Sequence, residues 1–147
     1  MVKKTFAEVI CFIGLIIFIS TVYGQGSKKT ITLPNGEVVC DLNGEWDVVI
    51  ESVHAGTTKD VFKITQQGSS FVAIRMMGNP YMPPGSEGAR GELDKNGFKK
   101  VQIVSGMGLL DSKGQISDDG NKMVIDSIKR PDDVHEFTKV RQTYTRK

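Results

Sequence analysis

Few side chains in this chain have the types and spacing that catalysis or metal binding needs. The histidines, His54 and His135, are far apart and fit neither an HxH nor an HxxxH pattern, so they predict no metal site. No serine lies in a GxSxG elbow, the pattern of many serine hydrolases. The Asp118–Asn121 segment resembles part of a calcium loop, but it lacks the distal glutamate and is better explained as a turn. We therefore predict a non-enzymatic protein with no catalytic residue, no metal and no cofactor, and an enzyme or an accessory domain of one is the last-ranked alternative.

Cys40 is the cysteine that would remain after removal of an N-terminal leader, because the other cysteine, Cys11, lies inside that leader. A single remaining cysteine cannot form an internal disulfide. We interpret Cys40 as a small, partly buried hydrophobic residue, and an intermolecular bridge is the alternative.

Arg75 is the charged residue whose position suggests binding chemistry. It alternates with Phe71 and Ala73 on one face of a strand-like run. If that face lines an apolar interior, the guanidinium has to be paired or has to meet an anion. A carboxylate ligand such as a fatty acid would match the guanidinium in bidentate geometry. The opposite assignment, with Val72 and Ile74 inside, would leave Arg75 in water.

The element that positions these residues begins at the only tryptophan. Trp46, Val48 and Ile50 alternate with acidic residues, Val49 excepted, which is typical of a strand with one buried face. Asn43-Gly44 just before this run is a turn signal. About eight such strand-like runs follow one another to the C-terminus, and no window of helical length shows helical periodicity.

Short turns join these runs, and Lys95-Asn96-Gly97 and Asp118-Asp119-Gly120 are the strongest turn signals. The Val53–Thr58 segment is predicted to be a connection, Gly106–Lys113 is ambiguous, and Val134–Thr143 is the last predicted strand. Consecutive strands with short turns pair as an antiparallel meander, and closure removes its exposed edges. The predicted fold is all-β, an up-and-down antiparallel barrel of about eight strands.

Strand parity predicts which side chains face the interior of this barrel, and they form either a packed core or the wall of a ligand cavity. They are Trp46, Val48, Ile50, Phe62, Ile64, Phe71, Ala73, Arg75, Val101, Ile103, Met123, Ile125 and Phe137.

The Gly44-x-Trp46 pattern at the start of the first barrel strand, with Arg141 in the last, resembles the lipocalins and the wider calycin group. The run LNGEWDVVIES, followed by hairpins that end in FTKVR, is also similar to small bacterial secreted lipocalin-like domains. The resemblance covers Asp41 to Arg146. It implies that the tryptophan plugs the closed end of the barrel and that Arg141 packs across its ring.

The resemblance also implies a small apolar or amphipathic ligand inside the barrel. The residues expected to bind it are Trp46, Ile50, Phe62, Phe71, Arg75, Tyr81, Ile103 and Phe137. The alternative is a protein-binding barrel that inhibits an extracellular hydrolase such as a lysozyme or a protease. In that case the proline-rich Gly78–Gly88 loop or the Gln25–Val39 arm would contact the enzyme.

The N-terminus predicts export. Residues 1–24 are interpreted as a signal peptide with Lys3 and Lys4 before the apolar run Val9–Ile19, and cleavage is expected between Gly24 and Gln25. This would give a secreted or periplasmic protein with an arm or short hairpin at 25–40 and a barrel domain at 41–147. The formal charge of +2 on 147 residues argues against a nucleic-acid binder, which needs a concentrated basic face.

Overall fold

The computed structural model describes residues 27–128 and 139–147. The predicted signal peptide, His135 and Phe137 lie outside the described residues. The strands are β1 (Thr30–Thr32), β2 (Val38–Cys40), β3 (Gly44–Ser52), β4 (Gly56–Gln67), β5 (Ser70–Arg75), β6 (Glu87–Asp94), β7 (Gly97–Ser105), β8 (Gly108–Ile116), β9 (Lys122–Ser127) and β10 (Val140–Arg146). In residues 27–128 and 139–147, no helix is long and apolar enough to cross a membrane.

Strands β3 to β10 form a closed antiparallel barrel in which each strand pairs with its neighbours in sequence. The barrel closes where β10 pairs with β3, with Arg146 opposite Trp46 in the ladder. Closure gives every strand two partners, so the barrel has no free edge. The predicted all-β, eight-stranded up-and-down fold is confirmed.

Two strands are longer than the sequence pattern indicated. Strand β4 begins at Gly56, so Thr57 and Thr58 belong to its ladder with β3 rather than to the preceding connection. The ambiguous Gly106–Lys113 segment contributes to β8, which pairs with both β7 and β9. The hydrogen bonds to both neighbouring strands stabilise β8 although its sequence alone does not predict a strand. Strand preference depends strongly on tertiary context.

The predicted parity of the interior is correct for the described residues. The buried side chains inside the barrel include Trp46, Val48, Ile50, Phe62, Ile64, Phe71, Ala73, Arg75, Val101, Ile103, Met123 and Ile125. Strand β10 adds Val140, Gln142 and Tyr144 from its inward face.

The β1–β2 hairpin and the segment after it close the end of the barrel that contains Trp46. Val39, Cys40 and Leu42 are buried there as part of the hydrophobic core. The Gln66 amide joins this segment to β4, because Oε1 accepts from Leu42 N at 2.7 Å and Nε2 donates to Cys40 O at 3.0 Å. Burial also raises the pKa of the Cys40 thiol. We call the end of the barrel that contains Trp46 the closed end.

The opposite end is formed by the connections at 53–55, 76–86 and 106–107, together with residues 128 and 139 beside the last connection. We call it the open end. In the described residues, only one exposed large hydrophobic side chain, Val38, belongs to the hairpin at the closed end. The others lie in or beside the open-end connections: Val53, Met76, Met77, Tyr81, Met107, Leu109 and Ile128. The two ends of the barrel therefore present different surfaces to solvent.

Candidate functional site

The open end contains a cavity of about 360 Å³, near the lower limit for small-molecule sites. Its deeper wall is formed by inward side chains of four strands: Ile50, Arg75, Ile103, Val140 and Gln142. Three of these side chains are aliphatic and two are polar. The cavity can therefore bury an apolar group against the wall and offer hydrogen bonds at the same depth.

The mouth of the cavity is formed by the open-end connections. It includes His54, Asn79, Tyr81, Met82 and Met107. The Tyr81 side chain is 89% exposed at this mouth. An exposed ring of this kind can contact a ligand or a protein without unfolding the loop.

The Arg75 guanidinium is buried, and its charge is balanced inside the barrel. Arg75 is 4% exposed and Asp60 is 5% exposed, and Arg75 Nη1 lies 3.3 Å from Asp60 Oδ2. The guanidinium carbon also lies 5.0 Å from the centre of the Phe62 ring. The partner that a buried arginine needs is therefore Asp60, a residue of the chain itself.

Sequence reasoning missed Asp60, although a signal was present. Asp60 lies two positions before Phe62 on β4 and thus has the same inward parity. A carboxylate with inward parity on the strand next to Arg75 is the partner that a buried pair requires.

Asp60 also holds the base of the loop between β5 and β6. Its Oδ1 accepts from Met77 N at 3.1 Å, and its Oδ2 accepts from Gly78 N at 3.2 Å. Further along, Asn79 Oδ1 accepts from Tyr81 N and Met82 N, both at 2.9 Å. The ion pair at the wall of the cavity and the loop at its mouth therefore share one carboxylate.

A second polar group beside the cavity comes from β10. Gln142 Nε2 donates to Gly88 O at 3.2 Å, and Gln142 Oε1 accepts from the Tyr144 hydroxyl at 2.6 Å. Burial is the main cause that raises the pKa of Tyr144 far above its usual value. The charge of Arg75 lowers this pKa, and the charge of Asp60 raises it, by smaller amounts. The phenol is therefore a neutral donor, and Gln142 has partners at both ends of its amide.

The predicted ligand-binding residues do not all meet at this cavity. Ile50, Arg75, Tyr81 and Ile103 line it. Trp46, Phe62 and Phe71 are buried in the core and do not line the cavity. Phe137 lies outside the described residues. The half of the barrel next to the closed end is thus a packed core, because large aromatic side chains fill it.

Those aromatic side chains contact one another and the polar groups near the cavity. The Trp46 and Phe62 rings each make an edge contact with Tyr144, at centroid distances of 6.4 and 5.6 Å. Phe71 packs against Phe98 at 5.7 Å. Edge contacts of this kind fix ring orientation as well as filling volume.

The prediction that Arg141 packs across Trp46 is wrong. The residue over the ring is Arg146, whose guanidinium carbon lies 4.4 Å from the ring centre. Arg141 is exposed on the outer face of β10 and pairs with Asp126 at 2.7 Å. The physical reason is strand parity, since residues 140, 142 and 144 face inward and 146 continues that series.

Gly44 lies beside this contact. Its φ of +127° is in the region that favours glycine, and a Cβ built there would lie 3.7 Å from Arg146 Nη1. Arg146 also donates to Asn43 O at 2.9 Å and to Asp41 O at 2.6 Å. The guanidinium thereby closes the Trp46 end of the barrel.

A larger depression of about 580 Å³ lies on the outside of the barrel. Charged side chains line part of its surface, namely Glu51, Lys113, Asp126, Lys139 and Arg141. The enclosed apolar wall at the open end is the better ligand site, because burial of apolar surface is the main source of small-ligand affinity. In the part of the chain that the structure describes, no group of three or more histidine, cysteine or acidic side chains could hold a metal ion.

We compared the chain with protein-family models, with curated proteins and with solved structures, and none of the three comparisons found a match.

Proposed function

We propose that the protein is an exported lipocalin-like barrel that binds a small hydrophobic or amphipathic molecule in the open-end cavity. The observation that carries the proposal is the cavity itself, an apolar-walled space of about 360 Å³ in a barrel whose other end is closed. The leader-like residues 1–24 support export, to the periplasm or outside the cell. The Gly44-x-Trp46 pattern, with Arg146 over the ring, supports the lipocalin-like assignment.

The aliphatic wall supplies the driving force for binding. Removing apolar surface from water contributes about 25 cal/mol per Å², so a ligand that buries about 200 Å² gains about 5 kcal/mol before the costs of immobilisation. Polar side chains at the wall then fix the orientation of the ligand. The expected ligand is therefore short and mainly apolar, with one polar group.

Thr58 provides a test of the site. It lies on the inward face of β4 and lines the cavity, whereas Thr57 is exposed on the outer face. Thr58→Trp should fill the cavity and weaken binding of octyl-chain amphiphiles at least about 10-fold. Thr57→Trp is the matched control and should bind as the unchanged protein does. Isothermal titration calorimetry measures all three proteins, and equal binding by both variants, or no binding by the unchanged protein, would contradict the proposal.

The second candidate function is inhibition of an extracellular hydrolase through the Gly78–Gly88 loop. The observation that favours it is Tyr81, an exposed ring on a loop that is held by Asn79 and Asp60. A rigid loop with an exposed aromatic side chain loses little entropy when it docks into a protein cleft.

This second candidate is tested with the same protein. A panel of lysozymes and secreted proteases is assayed with and without it. Inhibition that is lost in Tyr81→Ala but retained in Thr58→Trp would support a protein-binding loop. Full hydrolase activity across the panel would argue against it.

A further inference from the structure

We propose that the open-end cavity selects ligands with a neutral hydrogen-bond-accepting head, such as an ester, ketone or amide carbonyl, over ligands with a carboxylate. This inference rests on the proposed ligand-binding function and specifies the class of ligand. It follows from the charge and the free donors of the side chains at the wall of the cavity.

The charge at the wall is already balanced. Arg75 lines the cavity, and Asp60 forms its ion pair from the neighbouring strand at 3.3 Å. The carboxylate of Asp60 is in turn fixed by backbone N–H groups of Val61, Met77 and Gly78. Because these bonds hold Asp60 in place, an incoming carboxylate cannot displace it from Arg75 without leaving partly buried donors unpaired.

The wall still has donors to offer. A guanidinium carries five N–H groups, and among the described residues the buried Nε of Arg75 has no acceptor. Gln142 uses its amide oxygen for Tyr144 and donates from Nε2 to Gly88 O. One N–H of that amide therefore remains for a ligand, since a side-chain amide has two. Both side chains border the cavity but are themselves buried, so these spare N–H groups lack water as well as a protein acceptor, and a ligand oxygen reaches them only if the wall moves slightly to admit it.

The balanced charge and the unpaired donors together favour one class of ligand head group over the others. A carbonyl oxygen can accept from the spare donors and adds no charge. A carboxylate would add an uncompensated negative charge next to Asp60, and an ammonium would add a positive charge next to Arg75, in a site that is partly shielded from water. The neutral acceptor is the head that the site can bury with its partners satisfied.

The first test uses the unchanged protein and four probes of similar length: octanoate, methyl octanoate, octylamine and nonane. Calorimetry at pH 7 should give an affinity for the ester about 10-fold above those for octanoate and octylamine. The ester should also bind at least as tightly as nonane, although nonane is the more hydrophobic molecule. In ¹⁵N-edited NMR spectra, the Arg75 side-chain N–H resonance should shift with the ester and stay in place with nonane.

A charge variant tests the physical reason. Asp60→Asn removes the internal counter-charge, so octanoate should become the preferred ligand over methyl octanoate. Asp47→Asn is the matched control, because its carboxylate is exposed on the outer face of β3, and it should keep the preference for the ester. If Asp60→Asn does not fold, the probe series on the unchanged protein decides the question alone.

The outcomes are distinguishable. Octanoate bound as tightly as methyl octanoate by the unchanged protein would overturn the neutral-head inference and leave the ligand-binding function standing. An unshifted Arg75 resonance with bound ester, or a folded Asp60→Asn protein that still prefers the ester, would also overturn it. If none of the four probes binds, the proposed function falls together with this inference.

Discussion

For single residues, the two arginines of β10 show how positions of opposite parity on one strand acquire different roles. Arg146 lies over Trp46 and donates to main-chain oxygens of the segment before β3. Arg141 is exposed and pairs with Asp126. An exposed ion pair contributes little to stability because water and salt screen it, whereas a guanidinium over an indole ring with main-chain acceptors contributes more.

Replacing these arginines by methionine should therefore have unequal effects. Arg146→Met should lower the free energy of unfolding by about 2 kcal/mol, because it removes the cation–π contact and the main-chain hydrogen bonds. Arg141→Met is the matched control and should change it much less, because water and salt screen the exposed ion pair. Urea unfolding followed by Trp46 fluorescence measures both. Equal losses would mean that the Arg146 contact does not stabilise the closed end.

At the scale of elements, the closed end depends on the attachment of the β1–β2 hairpin to β4. Gln66 makes this attachment with both ends of its amide, to Leu42 N and to Cys40 O. Hydrogen bonds of a buried amide are costly to remove, because the groups left behind cannot bond to water. The hairpin is thereby part of the core rather than a loose arm.

Gln66→Ala should free this hairpin. We expect a loss of about 2 kcal/mol in unfolding free energy and faster alkylation of Cys40, whose thiol is otherwise protected by burial. Gln67→Ala is the matched control, because Gln67 is the next residue of β4 and is exposed. Mass spectrometry of alkylated protein gives the labelling rates. Unchanged labelling of Cys40 in Gln66→Ala would contradict the role of the amide.

The packing of β6 against its neighbours depends on a residue without a side chain. A Cβ at Gly91 would collide with the backbone oxygen of Lys100 and would lie 2.9 Å from the Phe71 ring. Gly91→Ala should therefore lower stability by about 3 kcal/mol, because backbone cannot move aside cheaply. Gly106→Ala is the control, since a Cβ there meets nothing within 4 Å. Similar thermal midpoints for the two variants would show that β6 can shift.

At the scale of the whole molecule, the barrel divides into a packed half and a half with a cavity. Aromatic rings fill the closed half, and the Asp60–Arg75 pair and the Tyr144–Gln142 hydrogen bond lie between them and the open end. A buried polar layer of this kind is stable only when its groups are paired and in their proper protonation states. Global stability should therefore respond to the titration of Tyr144.

Alkaline pH should destabilise the barrel through this phenol. The raised pKa of Tyr144 means that the folded protein keeps the phenolic proton at a pH where the unfolded chain, with an ordinary value of about 10, has lost it. The folded state then binds more protons, so its stability is fully present below pH 10 and falls by about 1.4 kcal/mol per pH unit above it.

Tyr144→Phe should remove the part of the fall in unfolding free energy above about pH 10 that the Tyr144 phenol causes. Between pH 7 and pH 9, the variant should differ from the unchanged protein by a constant loss of about 1 kcal/mol, because Gln142 Oε1 has lost its donor. The two stabilities should then converge as pH rises above about 10. Urea titrations at a series of pH values provide the comparison, and parallel profiles through the alkaline range would contradict a buried neutral phenol.

The alternating pattern of the amino-acid sequence was enough to predict the strands, and through them the closed barrel and the buried face that carries Trp46 and Arg75. The physical reason is that side-chain direction along a strand has a fixed period of two, so local pattern is enough to identify the inward residues. The same period distinguishes Arg146 from Arg141, and it places Asp60 and Phe62 on one face. Parity thus contained more information about the closed end than the family resemblance did.

The folded barrel, in contrast, determines which inward residues border a cavity and what balances the charge of Arg75. The depth of a side chain inside the barrel depends on the stagger of all the strands and on how far the aromatic rings fill the space. Those rings leave Trp46, Phe62 and Phe71 in the packed half and Ile50, Ile103 and Arg75 at the cavity. Likewise, the pairing of Arg75 with Asp60 depends on the depth at which both side chains lie inside the barrel, and that depth follows from the stagger of the strands around it.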